Sequence, residues 1–306
     1  MSNLNKPVLV QGDREIFPED IDHIRTTLRQ FSSLSRSEVI DTLCEHLNWL
    51  TPAGLPKTTA CTKLLNRLEE QDIVRLPAKR KRSSHPGLCA QSAPRETGLT
   101  GEQVPLEMPL AELGPIRLAP VIEKAAQRLW NDYVQRYHYL GYKKPFGYVQ
   151  RYFIEAGSHR LGCVLLSGPA KALTARDRWI GWSDRQRLKN LPWVLNNSRF
   201  LLFPWVHVAN LASHVLGQLA RRVADDFKEC WGYRPVLMET FVDPAQFHGG
   251  CYRAAGWELL GRTTGEGLVR PGKQYKTTPK LIFAKPLQKN FRRLLCSEQL
   301  QGRTEL

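Results

Sequence analysis

Residues 236–261 read VLMETFVDPAQFHGGCYRAAGWELLG, and this stretch decides the fold of the second half of the chain. Residues 236–243 read as a strand, 245–255 as a short helix behind Pro244, and 257–261 as a second strand behind Gly256. Working outward, Leu211–Trp231 has the apolar spacing of a long helix, and residues 199–208 precede it as a strand. Residues 148–156 and His159–Ser167 are strands joined across Gly157-Ser158. Residues 120–137 form a helix, 170–194 are helical or irregular, and 280–286 close the sheet. Helices and strands alternating in this way predict an α/β domain with a mixed sheet over residues 113–286 and a tail over 287–306.

The first part of the chain has a different pattern. PEDIDHIRTTLRQF at 18–31 opens with Pro and acids and sets Ile21, Ile24 and Leu28 at helical spacing. Ser35-Arg-Ser-Glu38 is a capping box leading into Val39, Ile40, Leu43 and Leu47, and Trp49, Pro52, Gly54 and Pro56 end that helix. A third helix over 57–70 carries Leu64, Leu65 and Leu68 and runs into a short strand at 73–77. Three helices and a wing predict a winged-helix-like module over residues 1–77. Its third helix would turn Lys57, Thr58, Thr59, Thr62, Lys63, Asn66 and Arg67 towards DNA. A three-helix protein-interaction module fits the same pattern. Residues 78–112 read as a flexible linker with a basic knot, Lys79-Arg80-Lys81-Arg82, suited to gripping phosphate or to serving as a solvated tether.

The formal charge of +15 is unevenly spread: −2 over residues 1–77, +1 over 78–112 and +16 over 113–306. A polyanion, and nucleic acid first of all, is the partner expected of the C-terminal domain. Its expected seat is 176–199, where Arg176, Arg178, Arg185, Arg187 and Arg199 are interleaved with Trp179, Trp182 and Trp193, cations for phosphate and rings for bases. The alternative is a basic helix covering the sheet with snorkelling arginines. No long apolar run predicts a membrane span, and the first residues lack the pattern of a secretory leader. Seven scattered cysteines without a CxxC pair fit neither a disulfide framework nor a zinc site, so a reducing cytoplasm is expected.

Two carboxylates, Glu239 and Asp243, fall on one face of the predicted strand 236–243. Inside a basic domain they suggest a Mg²⁺ site for phosphodiester chemistry, with His214 as general base or further ligand. The structural alternative has Asp243 capping the following turn and Glu239 paired with a buried arginine such as Arg199. Tyr252 is a second centre, as nucleophile or general acid. His138, between Tyr137 and Tyr139, suits either base stacking or a core cap.

The series Phe247-x-Gly249-Gly250-x-Tyr252-x-x-x-Gly256-Trp257-x-x-x-Gly261 resembles the end of a GNAT acyltransferase fold, where a helix bearing a Tyr and a Gly-Trp strand lie beside the acyl donor. Tyr137–Tyr142, Ala175–Trp182, Asn196–Phe200, Asn210–His214, Glu239–Asp243 and Gly250–Trp257, in that order, resemble the Druantia antiphage-defence protein A (DruA) family. That resemblance implies phage defence or mobile elements, work on DNA, and partner proteins including a helicase. Where GNAT proteins cradle a CoA diphosphate with Arg/Gln-x-x-Gly-x-Gly/Ala, this chain has Asn210-Leu-Ala-Ser213-His214-Val215, which speaks against CoA. The leading expectation is therefore a DNA strand-cleaving or cleaving-and-rejoining enzyme. A base-modifying acyltransferase with Tyr252 as acid and a non-enzymatic DNA sensor that recruits partners remain as alternatives.

Overall fold

The structure, a computed structural model, describes residues 6–30, 34–77, 104–265, 278–298 and 300. The chain divides into two compact units, one within residues 1–95 and one within 96–300. The basic knot at 79–82 lies outside the described residues.

The first unit opens with an antiparallel hairpin, β1 (Leu9–Gln11) and β2 (Arg14–Ile16), followed by α1 (Pro18–Gln30), α2 (Arg36–His46) and α3 (Thr58–Glu70). Ile16, Ile24, Val39, Leu43, Leu64 and Leu68 are fully buried between them. The Ser35/Glu38 capping box starts α2 as its sequence requires. The strand expected at 73–77 is not formed; those residues run without regular pairing, and the hairpin lies ahead of the helices. Much of α3's polar face is spent within the unit. Lys57 pairs with Asp13, Asn66 accepts from Arg36 at 2.7 Å, and Arg67 reaches the Val10 carbonyl. Thr59 and Lys63 stay exposed and uncommitted among the described residues.

The second unit is built on a seven-stranded mixed sheet. Its strands are β4 (Ile116–Pro120), β5 (Gln150–Ala156), β6 (His159–Ser167), β7 (Val194–Leu202), β9 (Leu237–Val242), β10 (Glu258–Arg262) and β11 (Leu281–Pro286). They lie in the order β10-β11-β9-β7-β6-β5-β4, antiparallel except for the β7–β9 pair. Two short strands, β3 (Leu106–Glu107) and β8 (Val206–His207), pair beside it. Helices α4 (Lys124–Tyr137) and α7 (Leu211–Trp231) lay apolar stripes against the sheet: Trp130, Tyr133 and Val134 from one, and Val215, Leu219, Val223 and Phe227 from the other. The buried Trp130 indole donates to the Tyr152 carbonyl at 2.9 Å, so its N–H is satisfied inside the core.

Helices α5 (Thr174–Ile180), α6 (Asp184–Asn190), α8 (Gly250–Ala254) and α9 (Phe291–Leu295) complete the unit. The segment expected as a tail is instead docked. Phe291 and Leu295 are buried, Phe291 stacks on Trp179 at 4.8 Å, and Asn190 donates to the carbonyls of Leu295 and Ser297 at 3.0 and 2.9 Å. Among the described residues no helix is long and apolar enough to cross a membrane.

Candidate functional site

Strands β7 and β9 pair in parallel only at Val194↔Leu237, Leu195↔Met238 and Asn196↔Glu239. Beyond that point β7 stays with β6 and β9 stays with β11, so the two part. The Thr240 hydroxyl donates to the Asn197 carbonyl at 2.9 Å where backbone pairing ends. A cavity of about 310 Å³ opens there, lined among others by His138, Tyr139, Asn197, Thr240, Phe247 and Tyr252.

Tyr252 sits on α8, buried, with its ring stacked on Phe283 at 5.6 Å and edge-on to Trp257 at 5.2 Å. Its hydroxyl accepts from Asn197 Nδ2 at 3.4 Å. Burial pushes the phenol well above its ordinary value, so it stays protonated: a hydrogen-bond donor or acid, and a poor nucleophile. Asn197 is itself buried, and its Oδ1 has no hydrogen-bond partner among the described residues.

His138 accepts the Leu140 amide on Nδ1 at 3.2 Å, which places the proton of the neutral ring on Nε2. Burial, with help from the charges of Arg199 and Lys280, lowers its pKa to about 4. Because the folded protein disfavours the charged ring, His138 stabilises the fold fully above pH 6.5 and loses that contribution as the pH falls through about 4. Over this window the melting temperature of the wild type should fall more steeply than that of His138→Gln. Parallel slopes would mean that His138 is not held neutral.

The two acids expected to hold Mg²⁺ are committed elsewhere. Glu239 is fully buried; its Oε1 accepts the Ala170 amide and its Oε2 accepts Arg176 Nη1, each at 2.7 Å. Burial pushes this carboxyl up, against the pull of Arg176 and the Ala170 amide. The partner is Arg176 and not Arg199, whose guanidinium donates to the carbonyls of Gly141 and Ser198. Asp243 accepts from the Ala245 amide at 3.0 Å and the Thr278 hydroxyl at 3.2 Å, closing the turn after β9. His214 lies exposed in the first turn of α7, its Nε2 3.2 Å from Gln218 Nε2. Among the described residues no group of three or more His, Cys, Asp or Glu could hold a metal ion. The expected metal pair Glu239/Asp243 is thus corrected to an interior ion pair and a turn.

The expected Arg/Trp groove is corrected in the same way. Arg176, Trp182 and Trp193 are core residues, and Arg176 lies over the Trp182 ring and pairs with Asp177. Arg187 pairs with Asp184 and Asp177. Arg178 and Arg185 remain exposed, and the fold sets beside them cations from the segment expected as a tail: Lys289, Arg292 and Arg293. Arg292 ties α9 to α5 through the Trp179 carbonyl at 3.0 Å. Among the described residues none of these five is in an ion pair. Of the acids on these helices, Asp177 is paired with Arg176 and Arg187 and Asp184 with Arg187; Glu258, on β10, accepts from the Trp179 indole, and Glu298 is exposed.

The turn before α7 bears on CoA. Asn210 takes a left-handed conformation (φ 64°), the Leu211 amide donates to Val208, Ser213 Oγ donates back to the Asn210 carbonyl at 3.0 Å, and Val215 is packed in the core. No Lys or Arg occurs between Arg199 and Arg221. A diphosphate would meet side chains where it needs bare backbone, and no cation from this stretch of the chain.

Several solved acyltransferase structures resemble part of the chain. The aminoglycoside acetyltransferase AAC(6')-Ib in complex with coenzyme A and kanamycin matches at 14% identity, over 58% of this chain and 98% of that one, with TM-score 0.39. An acetyltransferase of Bacillus subtilis in complex with CoA matches at 9% identity, over 56% and 98%, with TM-score 0.32. FeeM, an N-acyl amino acid synthase from uncultured soil microbes, matches at 13% identity, over 56% and 91%, with TM-score 0.33. Values this low say nothing of fold family, ligand or reaction. No curated protein matches the sequence. The family model described as Druantia protein DruA matches residues 67–272, well over half of the chain. The chain belongs to the DruA family.

Proposed function

We propose that this protein is a DNA-binding sensor of its defence system, holding phosphates on the helical layer of α5, α6 and α9. Membership of the DruA family gives it a role in antiphage defence. The observation that carries the DNA reading is a set of exposed cations without ion-pair partners among the described residues: Arg178, Arg185, Arg292 and Arg293 on three helices packed together, with Lys289 in the turn before α9, within a unit of high positive charge. Strand cleavage through Mg²⁺ finds no open ligand set at Glu239 and Asp243, and a covalent route finds a phenol held protonated at Tyr252. CoA is not the cofactor on this reading, because the α7 turn does not suit its diphosphate. Partner proteins of the system, a helicase among them, would act on the DNA that this chain has bound.

A variant with Arg178, Arg185, Lys289 and Arg293 all changed to Gln is expected to stay folded. It should bind labelled DNA about tenfold or more weakly. Its dependence of log K on log salt should also be flatter, by about 0.9 for each duplex phosphate that is no longer neutralised. The DNA itself should come back intact with Mg²⁺ or with EDTA. Undiminished binding by the quadruple variant would overturn the proposed face. A Mg²⁺-dependent product that disappears in Asp243→Asn would restore the cleavage reading.

A further inference from the structure

The cavity at the β7/β9 parting is built with more chemistry than packing requires. Asn197 carries a buried amide with one end unpaired. Whichever way that amide is turned, the Tyr252 hydroxyl meets only one of its two ends, and no described residue supplies a partner for the other. The Tyr252 phenol stands beside it, and His138 lines the same cavity. A side-chain amide next to a phenol matches a flat ligand edge with a donor and an acceptor side by side. Around this polar floor the walls are aromatic. Tyr139 and Phe247, 42% and 53% exposed, meet edge-on at 5.7 Å at the pocket, and His138 stacks on Tyr139 at 4.9 Å. Exposing two large rings is costly unless something covers them. At about 310 Å³ the cavity lies at the small end of ligand pockets, which run from about 300 to 1,000 Å³. Arg199 and Lys280 stand close enough to His138 to act on it electrostatically, and Asp243 acts on Tyr139, so two positive charges and one negative lie near the pocket.

We propose that this pocket receives a single unpaired nucleobase of bound DNA, with Asn197 and Tyr252 reading its edge and Tyr139 and Phe247 covering its faces. The inference rests on the DNA-binding reading above and names what the same unit recognises. An unpaired or mismatched base is the least costly to take from the stack, so the pocket would select DNA that is bulged or damaged, or that is opened by a helicase. The Asn197 amide end then gains the hydrogen bond it lacks, and the exposed rings gain a flat partner.

The test uses the full chain and three duplexes of one sequence: fully paired, with one bulged base, and with an abasic nucleotide at the bulge. The bulged base should bind about tenfold or more tightly than the paired duplex, and the abasic bulge should lose most of that advantage. Tyr139→Ala and Phe247→Ala, both at exposed positions, should cut the preference while leaving paired-duplex affinity unchanged. Asn197→Leu should do the same if it folds, as its melting curve will tell. Equal affinity for the base and abasic bulges would overturn the pocket proposal and leave DNA binding standing. Absence of binding to all three duplexes would remove the DNA reading itself. Acetyl-CoA that saturates the pocket and displaces the bulged duplex would overturn the nucleobase in favour of an acyl donor.

Discussion

Arg176→Ala is expected to cost about 3–5 kcal/mol of stability in the sheet-bearing unit, because it strands Glu239 in the interior. Both side chains have no solvent exposure, and the 2.7 Å contact between them compensates a large desolvation cost on each side. With Arg176 gone, Glu239 retains only the Ala170 amide, and Ala170 and Asp177 each lose a partner as well. Glu239→Ala should be similarly damaging, since it leaves the guanidinium with Asp177 and a carbonyl. The double change Arg176→Met with Glu239→Leu should recover much of the loss, because no charge is then buried. Denaturant unfolding read through the tryptophans, with Trp182 beside Arg176, measures this. A single variant within about 1 kcal/mol of the wild type would be the behaviour of a surface pair and would contradict the burial described. Under conditions where the variants stay folded, DNA affinity should not follow Arg176, which has no access to solvent.

Gly162→Ala is the second change expected to act strongly, and its cause is steric. A Cβ at residue 162 would lie 2.1 Å from the Leu201 carbonyl oxygen and 3.0 Å from Leu202 Cα, all backbone atoms of the neighbouring strand. Nothing flexible is available to give way, so β6 and β7 must separate at the middle of the sheet. The loss should reach or exceed about 3 kcal/mol. In a unit of this size that is a fall of roughly 6–12 °C in melting temperature. Gly250→Ala is the control, since a Cβ there meets nothing within 4 Å. If the two variants melt together, the close approach of the strands is wrong.

Regular elements were legible where one periodicity ran without interruption. The helix Leu211–Trp231 and the strand His159–Ser167 have the ends their residues predict, since each is punctuated at both sides and apolar along its length. Strand β7 was expected at 199–208 and runs Val194–Leu202 instead. Asn196, Asn197 and Ser198 look like a loop, yet they are strand residues, and Asn197 and Ser198 line the cavity where β7 parts from β9. For the same reason Asn197 and Thr240 were passed over as site residues, although Tyr252 was singled out. The Arg/Trp segment misled because exposure cannot be read from residue type. Arg176 is among the largest fully buried side chains, held there by an acid 63 residues away. Only the unusual Arg176-Asp177 next to a tryptophan-rich run hinted at an internal network.

The docking of α9 has a consequence for how the protein is made. Gln186 and Asn190 bond to carbonyls that lie 105 to 110 residues later in the chain. At translation rates of about 5–20 residues per second, α5 and α6 wait roughly 5–20 s for the segment that covers them. Until residue 297 has left the ribosome, Trp179 lacks its stacking partner and the arginines of α9 are not beside those of α5 and α6. A nascent chain that has emerged only through α6 therefore presents Arg178 and Arg185 alone, and Lys289, Arg292 and Arg293 join them about a hundred residues later.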